Sequence, residues 1–254
     1  MKTVAVYGFA ASTGKSSVAK ELAGFFHLQG RSTMLVDMDL VKGNLAERLG
    51  LNSSPNIGIW LKDIFKWLDS IPCWKIKYTM DEIEPYLQTF DGLSVLASNT
   101  EGNLAGSPLL LNGVDVLLRS LLDTSFDVLI FDTNEEVRDY TLNMLLRMNK
   151  VLLVAEPFGF SLPNAEAFVR LLVDEGFSMD KFGLVLNRYP TYAEEDPLEI
   201  SRALGVPLYG VLPNYPDLTG KKGYARIFTM NRTNRFTEEV GKIADKIWGE
   251  NFFV

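Results

Sequence analysis

Short apolar runs set the terms for this chain. They fall at residues 3–7, 33–37, 93–97, 126–132, 151–155, 183–186 and 208–212. Several are apolar at successive positions rather than alternate ones, so a sheet built from them needs both faces covered, as in parallel sheets. Between the runs the spacing turns helical. Val18, Leu22, Phe25 and Phe26 mark one face of a helix over 15–29, stopped by Gly30. Further helices are expected at 45–49, 57–68, 114–122, 163–175 and 236–248, with another after Asp132 carrying Val137, Thr141, Met144, Leu145 and Met148. The segment 71–87 reads as irregular. Strand, helix, strand within about thirty-five residues is a parallel βαβ unit. The expected fold class is α/β: a single doubly wound, mostly parallel sheet with helices on both faces, one domain over residues 1–254.

In such sheets ligands gather beyond the carboxyl ends of the strands. The first run ends in Gly8-Phe9-Ala10-Ala11-Ser12-Thr13-Gly14-Lys15-Ser16-Ser17, where a helix begins. That is the layout of a phosphate-binding loop, in which backbone N–H groups and the helix N-terminus surround a polyphosphate. Lysine then reaches the β/γ-phosphates, and a hydroxyl binds Mg²⁺. The pattern G-x-x-x-x-G-K-[ST] asks for glycine where Phe9 stands, and Gly8 comes one residue early. An ordinary strand-to-helix turn capped by Ser12 or Thr13 is the plain alternative. Other runs deliver Asp37, Asp39, Asp132 and Asn187 to the same sheet edge. Ala11, Ser12, Thr13, Gly14, Lys15, Ser16 and Ser17 are thus candidates to hold phosphates. Ser16, Asp39 and Asp132 are candidate Mg²⁺ ligands, Asp132 through water. Lys15, Asp39 and Asp132 are the candidate catalytic set, with Asp39 orienting or activating a water. Asp37 reads equally well as a turn former.

Composition narrows the alternatives. One cysteine, Cys73, and one histidine, His27, leave no intrachain disulfide, no Cys-rich metal centre and no multi-imidazole chemistry. The net charge of −7 argues against broad attraction to nucleic acid or anionic lipid. No stretch of about eighteen residues is free of charge, as a membrane-spanning helix would be. Strand-like sequence begins at Lys2, leaving no room for a signal peptide, so a cytoplasmic location is expected.

Several segments together resemble the MinD/ParA family of P-loop ATPases, the deviant Walker A group. Val36-Asp37-Met38-Asp39 with Gly43-Asn44-Leu45 resembles the first switch, and Asp127 to Thr133 resembles the Walker B strand and the start of the second. Gly183-Leu184-Val185-Leu186-Asn187-Arg188 is similar to the strand whose Asn binds adenine; Gly210-Val211-Leu212-Pro213 is similar to the strand and base loop that follow. The wording is closest to the MinD-like and CpaE/TadZ pilus-localising branches. The resemblance implies ATP and Mg²⁺ as cofactors, with Asn187, Arg188 and Pro213 around the base. It also implies an ATP-favoured homodimer that positions pili, flagella, division or partition machinery. Two departures bear on hydrolysis. The family's signature lysine falls on Ala10, among Phe9, Ala11 and Ser12, and the second switch reads Asp132-Thr133-Asn134-Glu135-Glu136 without its glycine. Nucleotide binding is therefore better supported than turnover.

Two alternatives stand beside the switch ATPase, whose hydrolysis would be slow or partner-dependent. One is a non-hydrolysing scaffold that recruits a protein partner through the aromatic 57–87 region. The other is a partition ATPase binding nonspecific DNA through the basic 221–235 segment, which carries Lys221, Lys222, Arg226, Arg232 and Arg235. Membrane targeting is disfavoured because the C-terminal residues lack a basic amphipathic face.

Overall fold

The computed structural model describes residues 1–8, 10, 12–98, 104–157, 162–190, 196–218 and 225–250. The strands are β1 (Lys2–Tyr7), β2 (Thr33–Asp37), β3 (Gln88–Phe90), β4 (Leu93–Leu96), β5 (Val128–Asp132), β6 (Lys150–Ala155), β7 (Phe182–Tyr189) and β8 (Leu208–Pro213). They form one sheet in the order β3-β4-β2-β5-β1-β6-β7-β8. All neighbours run parallel except β3, which pairs antiparallel with β4. The mostly parallel, doubly wound sheet expected from the sequence is the one observed.

Its two apolar faces explain the runs. Val4, Val6, Val128, Ile130, Leu152 and Val154 point to one side; Ala5, Tyr7, Leu129, Phe131, Leu153 and Ala155 point to the other. The first side packs on α1 (Lys15–Leu28) and α10 (Arg235–Gly249), with α2 (Leu45–Leu49) and α9 (Phe228–Asn231). Against the second side lie α3 (Ile57–Leu68), α4 (Met80–Ile83), α5 (Leu110–Leu121), α6 (Asp139–Leu146), α7 (Leu162–Asp174) and α8 (Pro197–Leu204). Each face is a continuous dry layer, and burial of that apolar area holds the helices on.

Four elements, β3, α4, α8 and α9, are not among those expected from the sequence, and β3 and α8 carry clear local signals. Asp91 and Gly92 both have positive φ, 47° and 86°, between Phe90 and Leu93, which pair with each other. An Asp-Gly pair in that conformation is the favoured two-residue hairpin turn, and it makes β3 an antiparallel edge. Helix α8 is announced by Asp196, whose side chain accepts from the Leu198 N–H, by Pro197 in the first turn, and by left-handed Gly205 at its end. Val137, expected within α6, precedes it and is exposed.

Register brings the polar strand ends together. Asp37 of β2 and Val6 of β1 both sit beside Asp132 of β5, and the Met38 N–H donates to the Asp132 carbonyl at 2.8 Å.

Candidate functional site

The loop after β1 is held from below. Gly14 caps α1 in the left-handed conformation, φ 90°, and a Cβ there would lie 2.1 Å from Asn187 Nδ2. That nitrogen donates to the Thr13 carbonyl at 2.8 Å. Arg188, just past it on β7, donates to the Ser12 carbonyl at 2.8 Å and pairs with Glu156. Gly8 also has a physical reason to be glycine despite its position in the pattern. A Cβ on it would meet Thr13 Oγ1 at 2.5 Å and the Val154 carbonyl at 2.9 Å, so only a bare backbone passes beneath the loop.

The loop opens onto a cleft of about 470 Å³ at the carboxyl ends of β1, β2 and β5. Of the candidate residues, Ser12, Gly14, Lys15, Ser16, Ser17, Asp39, Asp132 and Arg188 line it. Thr13 and Asn187 are buried just behind, where they shape the loop. Pro213, at the end of β8, does not line the cleft, and Ala11 lies outside the described residues. The cleft also gathers Lys20, Lys42 and Arg48, which the sequence reading passed over. For Lys20 a signal existed: it lies four residues after Ser16, on the same face of the helix.

Charge in the cleft is arranged in opposed sets. Lys15 is buried and its Nζ donates to the Ala10 carbonyl at 3.0 Å, with Glu135 at 3.7 Å. Burial pulls its pKa down, while the charges of Glu135, Asp132 and Asp39 pull the other way. Asp132 is 2% exposed; burial pushes its pKa up to about 6 against the Ser16 hydroxyl and the charges of Lys15 and Arg48. Asp37 is pushed well above the carboxylate range by burial first and by the neighbouring Asp132 second. Its oxygens accept from the Asp39 N–H at 3.0 Å and the Leu45 N–H at 3.3 Å. Asp37 is therefore a turn former that also faces the cleft. Asp39 Oδ1 accepts from the Val41 and Lys42 N–H groups at 3.2 and 3.0 Å.

These donors fit Mg²⁺ bound together with a phosphate chain. Asp132 Oδ1 is buried with no hydrogen-bond partner among the described residues, and the Ser16 hydroxyl is near enough to oppose the rise in its pKa. An unsatisfied buried carboxylate oxygen is costly unless something binds it. Among the described residues no group of three or more His, Cys, Asp or Glu side chains is placed to hold a metal alone.

Two segments proposed for partners divide on inspection. In 57–87, Trp60 is fully buried, stacked on Tyr86 and edge-on to Tyr78, and belongs to the core; Trp67 and Trp74 are exposed. In 221–235, Lys221 and Lys222 lie outside the described residues, and Arg232 pairs with Asp217 at 3.8 Å. Among the described residues no helix is long and apolar enough to cross a membrane.

No protein-family model matches the chain. Over 243 residues it is 22% identical to the septum site-determining protein MinD of Thermotoga maritima, covering 93% of this chain and 84% of that protein. Its fold superimposes on a ParA family ATPase from Chlorobium tepidum with a TM-score of 0.76, 15% identity, and 98% and 99% of the two chains covered. It also superimposes on MinD of Pyrococcus horikoshii complexed with Mg-ADP, with a TM-score of 0.72, 20% identity, and 97% and 95% covered. The chain thus has the fold of the MinD and ParA proteins over nearly its whole length.

Proposed function

We propose that this protein binds ATP with Mg²⁺ and acts as a nucleotide-controlled dimer switch that positions a cellular assembly, with hydrolysis slow or dependent on a partner. The observation that carries the reading is the convergence of Lys15, Ser16, Asp39 and Asp132 on one cleft at the carboxyl edge of a parallel sheet. Lys15 and the loop amides would bind the phosphate chain, and Ser16 with Asp132 would hold Mg²⁺, which neutralises charge developing on the transferred phosphoryl group. Asp39, anchored through one oxygen by two backbone N–H groups, would orient or deprotonate an attacking water. Asn187, from behind, and Arg188, which lines the cleft, hold the loop's carbonyls, and Arg188 would carry the base side of the site.

The decisive test is calorimetric titration of ATP–Mg²⁺ into wild type and Lys15→Ala. Wild type should bind, and the variant should lose at least about a hundredfold, because a charge-assisted phosphate contact disappears. Unchanged affinity in the variant would sink the assignment.

A second reading, a nucleotide-binding scaffold without turnover, is favoured by one feature. Ala10 replaces the signature lysine, and its carbonyl is used on Lys15. Single-turnover hydrolysis compared with Asp39→Ala separates the readings: turnover abolished in the variant counts against the scaffold.

A further inference from the structure

The segment after β5 places a carboxylate inside the cleft, and the surrounding contacts fix it there. Thr133 Oγ1 donates to the Val6 carbonyl at 2.9 Å, and Asn134 is buried. The Tyr7 hydroxyl donates to the Glu135 carbonyl at 3.0 Å, and its ring stacks on Phe168 with centroids 4.2 Å apart. The backbone of Glu135 is thus tied to the end of β1, the strand that feeds the phosphate loop. Its side chain, 28% exposed, reaches two lysines at once: Lys15 Nζ at 3.7 Å and Lys42 Nζ at 3.5 Å. Lys42 is otherwise a largely exposed cation among the residues lining the cleft.

A carboxylate between two ammonium groups is the electrostatic equivalent of a terminal phosphate oxygen in the same place. Lys15 is the residue expected to meet the β- and γ-phosphates. From this arrangement we infer that Glu135 is an internal competitor for the terminal phosphate and sets the choice between nucleoside diphosphate and triphosphate. The inference rests on the nucleotide reading given above. A diphosphate needs Lys15 and the loop amides and leaves Glu135 paired with Lys42. A triphosphate brings a further anionic group toward the same two lysines. Glu135 must then swing out or remain as a like charge beside it, and either lowers affinity for the triphosphate selectively. Once Glu135 is displaced, Lys42 is freed to contact the added phosphate, restoring within one chain a cation that Ala10 does not supply.

The test is the ratio of dissociation constants for Mg²⁺ with ADP and with a non-hydrolysable ATP analogue, measured by calorimetry on wild type, Glu135→Gln and Glu136→Gln. Glu135→Gln keeps the shape and removes the charge, so it should tighten the analogue by about tenfold or more while changing ADP less than about threefold. Glu136 is exposed and paired with Arg138, so Glu136→Gln should leave the ratio at the wild-type value. Equal ratios in wild type and Glu135→Gln would overturn the inference, and so would an equal shift in both variants, which would mark bulk charge as the cause. Absence of any nucleotide binding in wild type and Glu135→Gln alike would overturn the nucleotide reading itself and the inference with it. Thermal melts of the ligand-free variants confirm that each is folded.

Discussion

Replacing Asp132 by asparagine should stabilise the ligand-free protein at neutral pH while removing the Mg²⁺ contact proposed for it. The carboxyl is buried, and burial raises its pKa to about 6, above the ordinary carboxylate range. A folded-state pKa above the unfolded one means that the folded protein binds the proton more tightly. Stability from this group is then complete below about pH 4 and is lost as pH rises through about 6. The raised pKa corresponds to a cost of about 3 kcal/mol at pH 7.5, falling to roughly half of that at pH 5 and to a small remainder at pH 4. Asparagine carries no such charge, and it relieves Asp37, whose own carboxyl is raised in part by Asp132. Urea unfolding at those three pH values measures the effect: Asp132→Asn should be the more stable protein at pH 7.5, with the gap closing toward pH 4. In saturating ATP–Mg²⁺ wild type should gain about 2.7 kcal/mol at a hundred times Kd, and the variant should gain little. A variant less stable at pH 7.5, or a gap that does not change with pH, would refute the reasoning. The cost would then lie in packing or hydrogen bonding rather than in the buried charge.

Gly14→Ala must place a side chain at φ 90° and 2.1 Å from Asn187 Nδ2, so the loop's support from β7 has to give way. The expected loss is about 2–3 kcal/mol, read as a fall of roughly 5–10 °C in Tm, with nucleotide affinity lost alongside. An unchanged Tm would show that the left-handed cap is not required. Glu21 is fully buried in α1, accepts from the Phe228 and Thr229 N–H groups at 3.1 and 2.8 Å, and lies 3.8 Å from buried Lys20. Glu21→Ala should therefore cost about 3–5 kcal/mol in urea unfolding, and Glu21→Gln, which keeps an acceptor oxygen, should cost less. Equal losses would mean that acceptor oxygens are not what this position supplies.

Much of the candidate site was legible because a loop of this layout is local. Gly14, Lys15 and Ser16 are contiguous, and their meaning depends only on a strand before them and a helix after. Asp37, Asp39 and Asp132 were legible as ends of apolar runs, because in a parallel sheet such ends share one edge. Roles were harder to read than positions. Asp37 is engaged in its own turn through the Asp39 and Leu45 N–H groups, a short-range bond that the spacing left open. Asn187 is used beneath the loop, on a carbonyl far away in the sequence. The β3–β4 hairpin and α8 carried Asp-Gly and Asp-Pro signals, which a search for apolar periodicity does not register.

The sequence alone determined a two-faced parallel sheet and the glycine-lysine-serine loop at its edge. Apolar periodicity records which faces are buried, and a loop of contiguous residues carries its geometry with it. Only the tertiary structure decided that Glu135 would stand between Lys15 and Lys42, and that Lys20 and Glu21 would tie α1 to the segment around Arg226 and Thr229. Such contacts join residues about a hundred or two hundred positions apart. Their partners are selected by strand order and register, which no local pattern of side chains encodes.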